Sequence, residues 1–254
     1  MPRFSFLTLV LAPWLVTGGP LVGQSDEPPT AAALIEAMDA NLTSKTQIFT
    51  SRMVVHGRRK SRTIASRSWV QGTDKAFTEY LSPAREKGTK MLKLGDRLWT
   101  YSPQTDRIIQ ISGHMLRQSV MGSDLSYADM MEDESFLDAY EGKVEGSEMI
   151  GDRDCWILTL TARREGQTYH RRRAWVDKER YVPLREELYA KSGQLLKSAS
   201  AKEVMRVQGR WYPRVWVFRD ELKRNSRGTE WIVDEIVFDQ AIPASRFAKS
   251  GLRK

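Results

Sequence analysis

The chain reads as a mainly β protein built as an antiparallel meander with few helices. Three observations predict this. Apolar residues recur with a period of two through most of the chain, and turn residues break these runs at near-regular intervals. No helical stretches lie between the runs to serve as crossovers, which parallel neighbours would need.

Taken in order, the first residues read as a secretory signal. Arg3 gives a positive start, residues 4–16 an apolar stretch, and Leu21-Val22-Gly23 a small-residue exit before Gln24. Pro13 interrupts the stretch, which is shorter than the roughly 20 residues of a bilayer span. The alternative is an uncleaved N-terminal anchor. Cleavage after Gly23 removes 23 of 254 residues and leaves 231, expected to form a single domain over 24–254. No Cys lies near the cleavage point, so the mature protein is not expected to be a lipoprotein itself.

After Pro28-Pro29, Thr30 is placed to cap a helix running to about Ser44, with Leu34, Ile35, Met38 and Leu42 on one stripe. From Gln47 the period becomes two. Strands are expected at 48–55, 63–70, 76–81, 91–94, 98–101 and 107–111. After a central insert they resume at 140–144, 155–162, 169–176, 184–189, 195–207, 211–219 and 229–238. Gly142 weakens the first of the second set. Gly57, Gly72, Ser82-Pro83, Gly95-Asp96, Ser102-Pro103 and Gly209 supply turn chemistry. In the 155–162 run, Trp156, Leu158, Leu160 and Ala162 share a face that must be buried, against the N-terminal helix or the insert.

Composition narrows the function. The single Cys155 excludes an intramolecular disulfide and sits in an apolar strand as a small core residue. The three His lack zinc-site spacing, and no nucleophile elbow, phosphate-binding loop or dinucleotide fingerprint occurs. No enzyme, metal or cofactor is expected. The acidic group Asp124, Asp129, Glu132, Asp133 and Glu134 matches no EF-hand, and complementing helix N-termini is the preferred reading over calcium. Without the leader, 39 Lys and Arg face 32 Asp and Glu, a net of +7. The excess clusters at 58–62, 163–164, 171–173 and 223–227. These are either solvated strand faces or a docking surface for an anionic membrane, to which Arg171, Arg172 and Arg173 are assigned. Export disfavours nucleic acid.

The insert, residues 114–137, contains Met121-Gly-Ser-Asp-Leu-Ser-Tyr-Ala-Asp-Met-Met131 and reads as short helical pieces, with Ser126 and Asp129 resembling a capping pair. Its methionines either fill a core or repack around irregular apolar cargo. Together with Pro83-Ala-Arg-Glu-Lys-Gly-Thr-Lys-Met-Leu92, Leu98-Trp-Thr-Tyr-Ser-Pro103, Arg107-Ile-Ile-Gln-Ile111, Trp175-Val-Asp-Lys178, Tyr181-Val-Pro183 and Leu195-Leu-Lys197, it resembles the outer-membrane lipoprotein-sorting (LolA/LolB-like) family. The resemblance is to the Met-Gly-Ser-Asp branch, often found with resistance-nodulation-division or MMPL-type exporters.

That resemblance implies an unclosed β-barrel, covered by an N-terminal helix and a central helical lid over a hydrophobic cavity. It implies a monomeric periplasmic carrier of lipoprotein acyl chains or lipids between an inner-membrane exporter and an outer-membrane acceptor. The alternative is an accessory exporter subunit whose groove docks a protein. Cargo contacts are expected from Leu34 and Met38 of the helix and from Leu92, Leu94 and Trp99 of the strands. From the lid they are expected from Met115, Leu116, Met121, Leu125, Tyr127, Met130 and Met131. Lipoprotein carriers proper are shorter and lack the Met-Gly-Ser-Asp element, so their latching residues have no counterpart here by position.

Overall fold

The computed structural model describes residues 27–131, 136–224 and 226–253. The expected signal segment, 1–23, lies outside them, as do Glu132, Asp133 and Glu134. Helix α1 (Ala31–Leu42) precedes β1 (Thr46–His56), β2 (Ser61–Gln71), β3 (Lys75–Ser82), β4 (Lys90–Leu94), β5 (Arg97–Ser102) and β6 (Arg107–Ile111). A connection with short 3-10 turns and α2 (Phe136–Ala139) leads to β7 (Tyr140–Ile150), β8 (Arg153–Ala162) and β9 (Arg171–Asp177). The chain continues through β10 (Pro183–Tyr189), β11 (Leu195–Val207), β12 (Arg210–Asp220) and β13 (Thr229–Phe238).

All thirteen strands form one sheet, ordered β6-β5-β4-β3-β2-β1-β13-β12-β11-β10-β9-β8-β7. Every expected strand is present. β7 runs past Gly142 to Ile150, beyond its expected end, while the β9 run starts at Arg171 rather than Tyr169. Pairing is antiparallel throughout, and only β1 with β13 joins strands distant in sequence. β6 and β7 remain unpaired edges, so the sheet is an open half-barrel. Register shifts at Thr50/Ser51 and twice along β11–β12 add the local twist that bends it. The chain leaves one edge at Ile111 and joins the other at Tyr140, so the connection between edges must cross the open side.

Thr30 caps α1 as its sequence predicts, its Oγ1 accepting from Ala33 N (3.2 Å). The helix lays Leu34, Ile35 and Met38 against Leu158, Leu160, Ala174 and Val176 of β8 and β9, with Trp156 and Ala162 beside them. Gly142 makes this approach possible. A Cβ there would lie 2.8 Å from the Cβ of Ala31 and 3.4 Å from Ile35 Cδ1, so the residue that weakened the strand reading is where helix meets sheet.

The opposite face is also buried. Residues 244–253 bring Phe247 and Leu252 onto Trp69, Phe77, Leu92 and Trp99. At the β8–β9 end, Arg153 donates from Nε and a terminal nitrogen to Asp177 (2.7 and 2.9 Å), which also accepts the N–H groups of Glu179 and Arg180. Burial alone would raise the Asp177 carboxyl, but these bonds outweigh it and hold it below its usual range. Neighbouring Cys155 is fully buried, and burial, with the carboxylates of Asp177 and Asp154, pushes its thiol up to about 11. It is an inert core thiol.

Candidate functional site

Between the concave face and the central connection lies a cleft of about 510 Å³, within the range of small-ligand sites, about 300–1,000 Å³. Its sheet wall is largely aromatic: Phe49 of β1, Trp216 and Phe218 of β12, and Trp231 of β13, extended by Leu188 and Val233. Trp216 and Phe218 stack with centroids 5.9 Å apart, and Trp216 is the register partner of Trp231. Strand alternation puts Trp216 and Phe218 on one face. Hydroxyls on this concave wall satisfy one another, with Ser51 bonded to Ser66 (3.1 Å) and Ser68 to Thr78 (2.9 Å). The wall therefore stays apolar in effect without leaving buried donors unpaired.

Charged groups occupy the margins. Lys93 Nζ donates to Thr73 O (2.7 Å). Arg172 is 6% exposed, donates from Nε to Tyr140 Oη (3.2 Å), and lies over the rings of Phe136, Tyr140 and Tyr169. This is a desolvated cation–π cluster.

The described part of the central connection, residues 112–131, forms a lid that borders the cleft through Leu125, Asp129 and Met130. Below it, Leu125 packs with Met53, Ile64, Tyr80, Met91, Leu98 and Ile111. Burial, then the charge of Glu86, raises the Tyr127 phenol above its ordinary value, so it stays neutral under the lid. Two aspartates fasten the lid. Asp124 is 6% exposed and accepts from Ser226 Oγ (2.5 Å), Thr229 Oγ1 (2.7 Å) and Asp220 N (3.1 Å), while its own N–H donates to Thr229 (3.0 Å). Asp129 accepts from Ser126 N (2.6 Å) and Ser126 Oγ (2.9 Å), and Ser126 Oγ accepts from Asp129 N (3.4 Å). That reciprocal pair is the capping signal read from the sequence, with Asp in place of Glu. Asp129 also receives Tyr169 Oη and forms an ion pair with Lys197 of β11.

The Met-Gly-Ser-Asp element is thus a folded clasp. Met121 (φ 50°) and Gly122 (φ 71°) both take left-handed backbone, which glycine adopts freely and methionine does not. The turn aims Met121 O at Arg62 and Ser123 O at Lys223 Nζ (2.7 Å). Within the acidic group, Asp124 and Asp129 hold polar groups of the protein, and among the described residues no three His, Cys, Asp or Glu converge as a metal site would require.

Of the residues assigned to cargo contact, Leu125 and Met130 line the cleft. Met115, Leu116, Met121, Tyr127 and Met131 pack in the cluster beneath the lid, and Leu116 and Met131 also line a second pocket of about 220 Å³ beside Phe136 and Arg172. Leu34 and Met38 do not reach the cleft: they are spent fixing α1 to β7–β9. Leu92, Leu94 and Trp99 point the other way, under the C-terminal segment. The arginine run divides by strand alternation. Arg171 is exposed and stacks on Tyr189, Arg173 is half-buried over Trp175, and Arg172 turns inward, so it cannot present charge to a membrane. Phe49, Trp216, Phe218, Trp231 and Lys197 were not foreseen as site residues. The signal was present in the aromatic residues two apart in 211–219, but that strand is apolar on both faces.

The fold has close relatives among solved structures. A DUF1329 family protein from Desulfovibrio piger superposes with a TM-score of 0.80 at 24% identity, over 87% of this chain and 97% of that one. A domain from Vibrio parahaemolyticus named for outer membrane lipoprotein sorting gives 0.77 at 21%, over 89% and 98%. A LolA superfamily protein from Nitrosomonas europaea gives 0.73 at 22%, over 88% and 100%. At these identities the likeness is one of fold, and that fold is the LolA-like half-barrel. A family model described as an uncharacterized protein matches residues 72–254, and the chain belongs to that family. No curated protein matches it.

Proposed function

We propose that the protein is a periplasmic, non-enzymatic carrier that shelters the acyl chains of a lipoprotein or lipid in the cleft and passes them between envelope membranes. The observation that carries this reading is the aromatic wall of Phe49, Trp216, Phe218 and Trp231 under a lid fastened by polar groups. An acyl chain gains about 0.8 kcal/mol per CH₂ moved out of water, so it crosses an aqueous compartment only when enclosed. Leu125 and Met130 close the cleft from above with side chains that can repack around a chain of variable shape. The LolA-like fold and the neighbour named for lipoprotein sorting support the cargo class. The leader expected at 1–23 supports the compartment.

Trp216 and Trp231 supply the assay. A brominated fatty-acyl chain entering the cleft must pass within contact of both indoles and quench their emission. The expected result is saturable quenching, together with retained lipid in native mass spectrometry of protein from an exporting host. Protein of clean apo mass whose emission ignores the brominated chain would overturn the reading.

A further inference from the structure

The β1–β2 turn and the β12–β13 loop lie far apart in sequence but meet at one end of the sheet. β1 pairs with β13, Val55 lies opposite Thr229, and His56 N donates to Gly228 O (3.2 Å). The turn carries Arg58, Arg59 and Lys60, with Arg62 just beyond, and the loop carries Lys223, Arg224 and Arg227, all exposed. Among the described residues, Arg58, Arg59, Lys60, Arg224 and Arg227 make no ion pair. Of the carboxylates at this end, Asp220 pairs with Lys223 and Glu230 with Lys202, while Glu221 and Asp124 meet only neutral donors, which do not offset a negative charge. The five unpaired cations outnumber those two, so the local field is positive.

Leu222 projects from the same loop, 56% exposed. An apolar side chain rising among cations matches a surface that is anionic at its face and apolar just beneath, as an anionic bilayer is. Nucleic acid would answer the charges but not Leu222.

Two of these cations also hold the lid. Arg62 donates to Met121 O, and Lys223 Nζ donates to Ser123 O (2.7 Å) and Ser119 Oγ (2.9 Å). Lipid phosphates are charged acceptors and form stronger bonds with guanidinium and ammonium groups than neutral carbonyls do. We propose that this basic end docks on an anionic phospholipid bilayer, and that lipid phosphates draw Arg62 and Lys223 away from Met121 and Ser123, loosening the lid over the cleft. The purpose of the loosening rests on the carrier reading, but docking and lid release are both measurable without cargo.

The test floats the full protein with phosphatidylglycerol–phosphatidylcholine vesicles and with phosphatidylcholine alone, then follows amide hydrogen exchange of residues 113–131 on the vesicles. Wild type should float with the anionic vesicles, weakly in high salt, and its Val120 and Asp124 amides should exchange faster there. The exposed-turn variant Arg58→Gln/Arg59→Gln/Lys60→Gln should melt as wild type yet bind about a hundredfold more weakly, at about fivefold per cation. Equal flotation on phosphatidylcholine, wild-type binding by the triple variant, or docking without faster lid exchange would each overturn the proposal. So would tight oligonucleotide binding without vesicle binding. Docking and lid release in a protein that never takes up an acyl probe would sink the carrier reading and leave this one standing.

Discussion

Two segments cover the concave side of one sheet, and they are held by different physics. Helix α1 is fixed by apolar contact, with Leu34, Ile35 and Met38 exposed by only 1–2% against β7–β9. The lid buries Val120 and Leu125 but keeps Met115, Leu116, Met121, Tyr127, Met130 and Met131 only partly buried, and it is fastened besides by hydrogen bonds and an ion pair through Asp124 and Asp129. Apolar burial must be undone by exposing area to water, at about 25 cal/mol per Å². A hydrogen bond to a carboxylate is exchanged for one to water at a net of about 1.5–3 kcal/mol. One cover is a wall and the other is a door.

The largest expected effect lies in the strands that carry the wall, on the face away from α1. Arg153→Ala leaves Asp177 buried without its ion-pair partner and should cost about 3–5 kcal/mol of unfolding free energy, measured by urea titration. The sign with pH follows from the lowered Asp177 carboxyl. The pair's contribution is present above the unfolded-state value near 3.9 and is lost as pH falls through the depressed folded value. The wild type should therefore lose stability in acid more steeply than Arg153→Ala. Cleft binding per folded molecule should be unchanged.

Gly142→Ala tests how tightly the wall is set. Its new Cβ would fall 2.8 Å from Ala31 Cβ, so α1 must shift, at a cost of about 1–3 kcal/mol. A melting temperature unchanged from wild type would show that the helix is less firmly seated than its burial implies.

How far the sequence carried depended on what each pattern can encode. All thirteen strands and α1 were legible because alternation, helical spacing and the Thr30 cap are local signals. Facing was harder. Leu92, Leu94 and Trp99 looked like cavity residues because a β-sheet buried on both faces offers no polar side to orient it, and Phe247 and Leu252 arrive from the far end of the chain. Arg172 was read with its neighbours as surface charge, although alternation already separates Arg171 and Arg173 from it. The partners of Asp124, Ser226 and Thr229, lie about a hundred residues away, beyond any local motif.

A smaller effect is expected on the door. Asp124→Ala strands the Thr229 and Ser226 hydroxyls and should cost about 1–2 kcal/mol globally, while amide protection in residues 113–131 falls by more than in α1. Equal loss of protection in both segments would erase the distinction between them.

The most direct measurement places a charge at Met130, which lines the cleft from the lid side and is only partly buried. Thermal melting and uptake of a fluorescent fatty-acyl probe are followed together for wild type and Met130→Asp. A carrier with a hinged cover should lose affinity at least about tenfold, because a carboxylate beside an acyl chain is costly. Its melt should stay cooperative and within about 2–4 °C of wild type. A collapsed melt would mean that the lid is ordinary core. Undiminished uptake with an intact fold would contradict the cleft as the place where cargo rides.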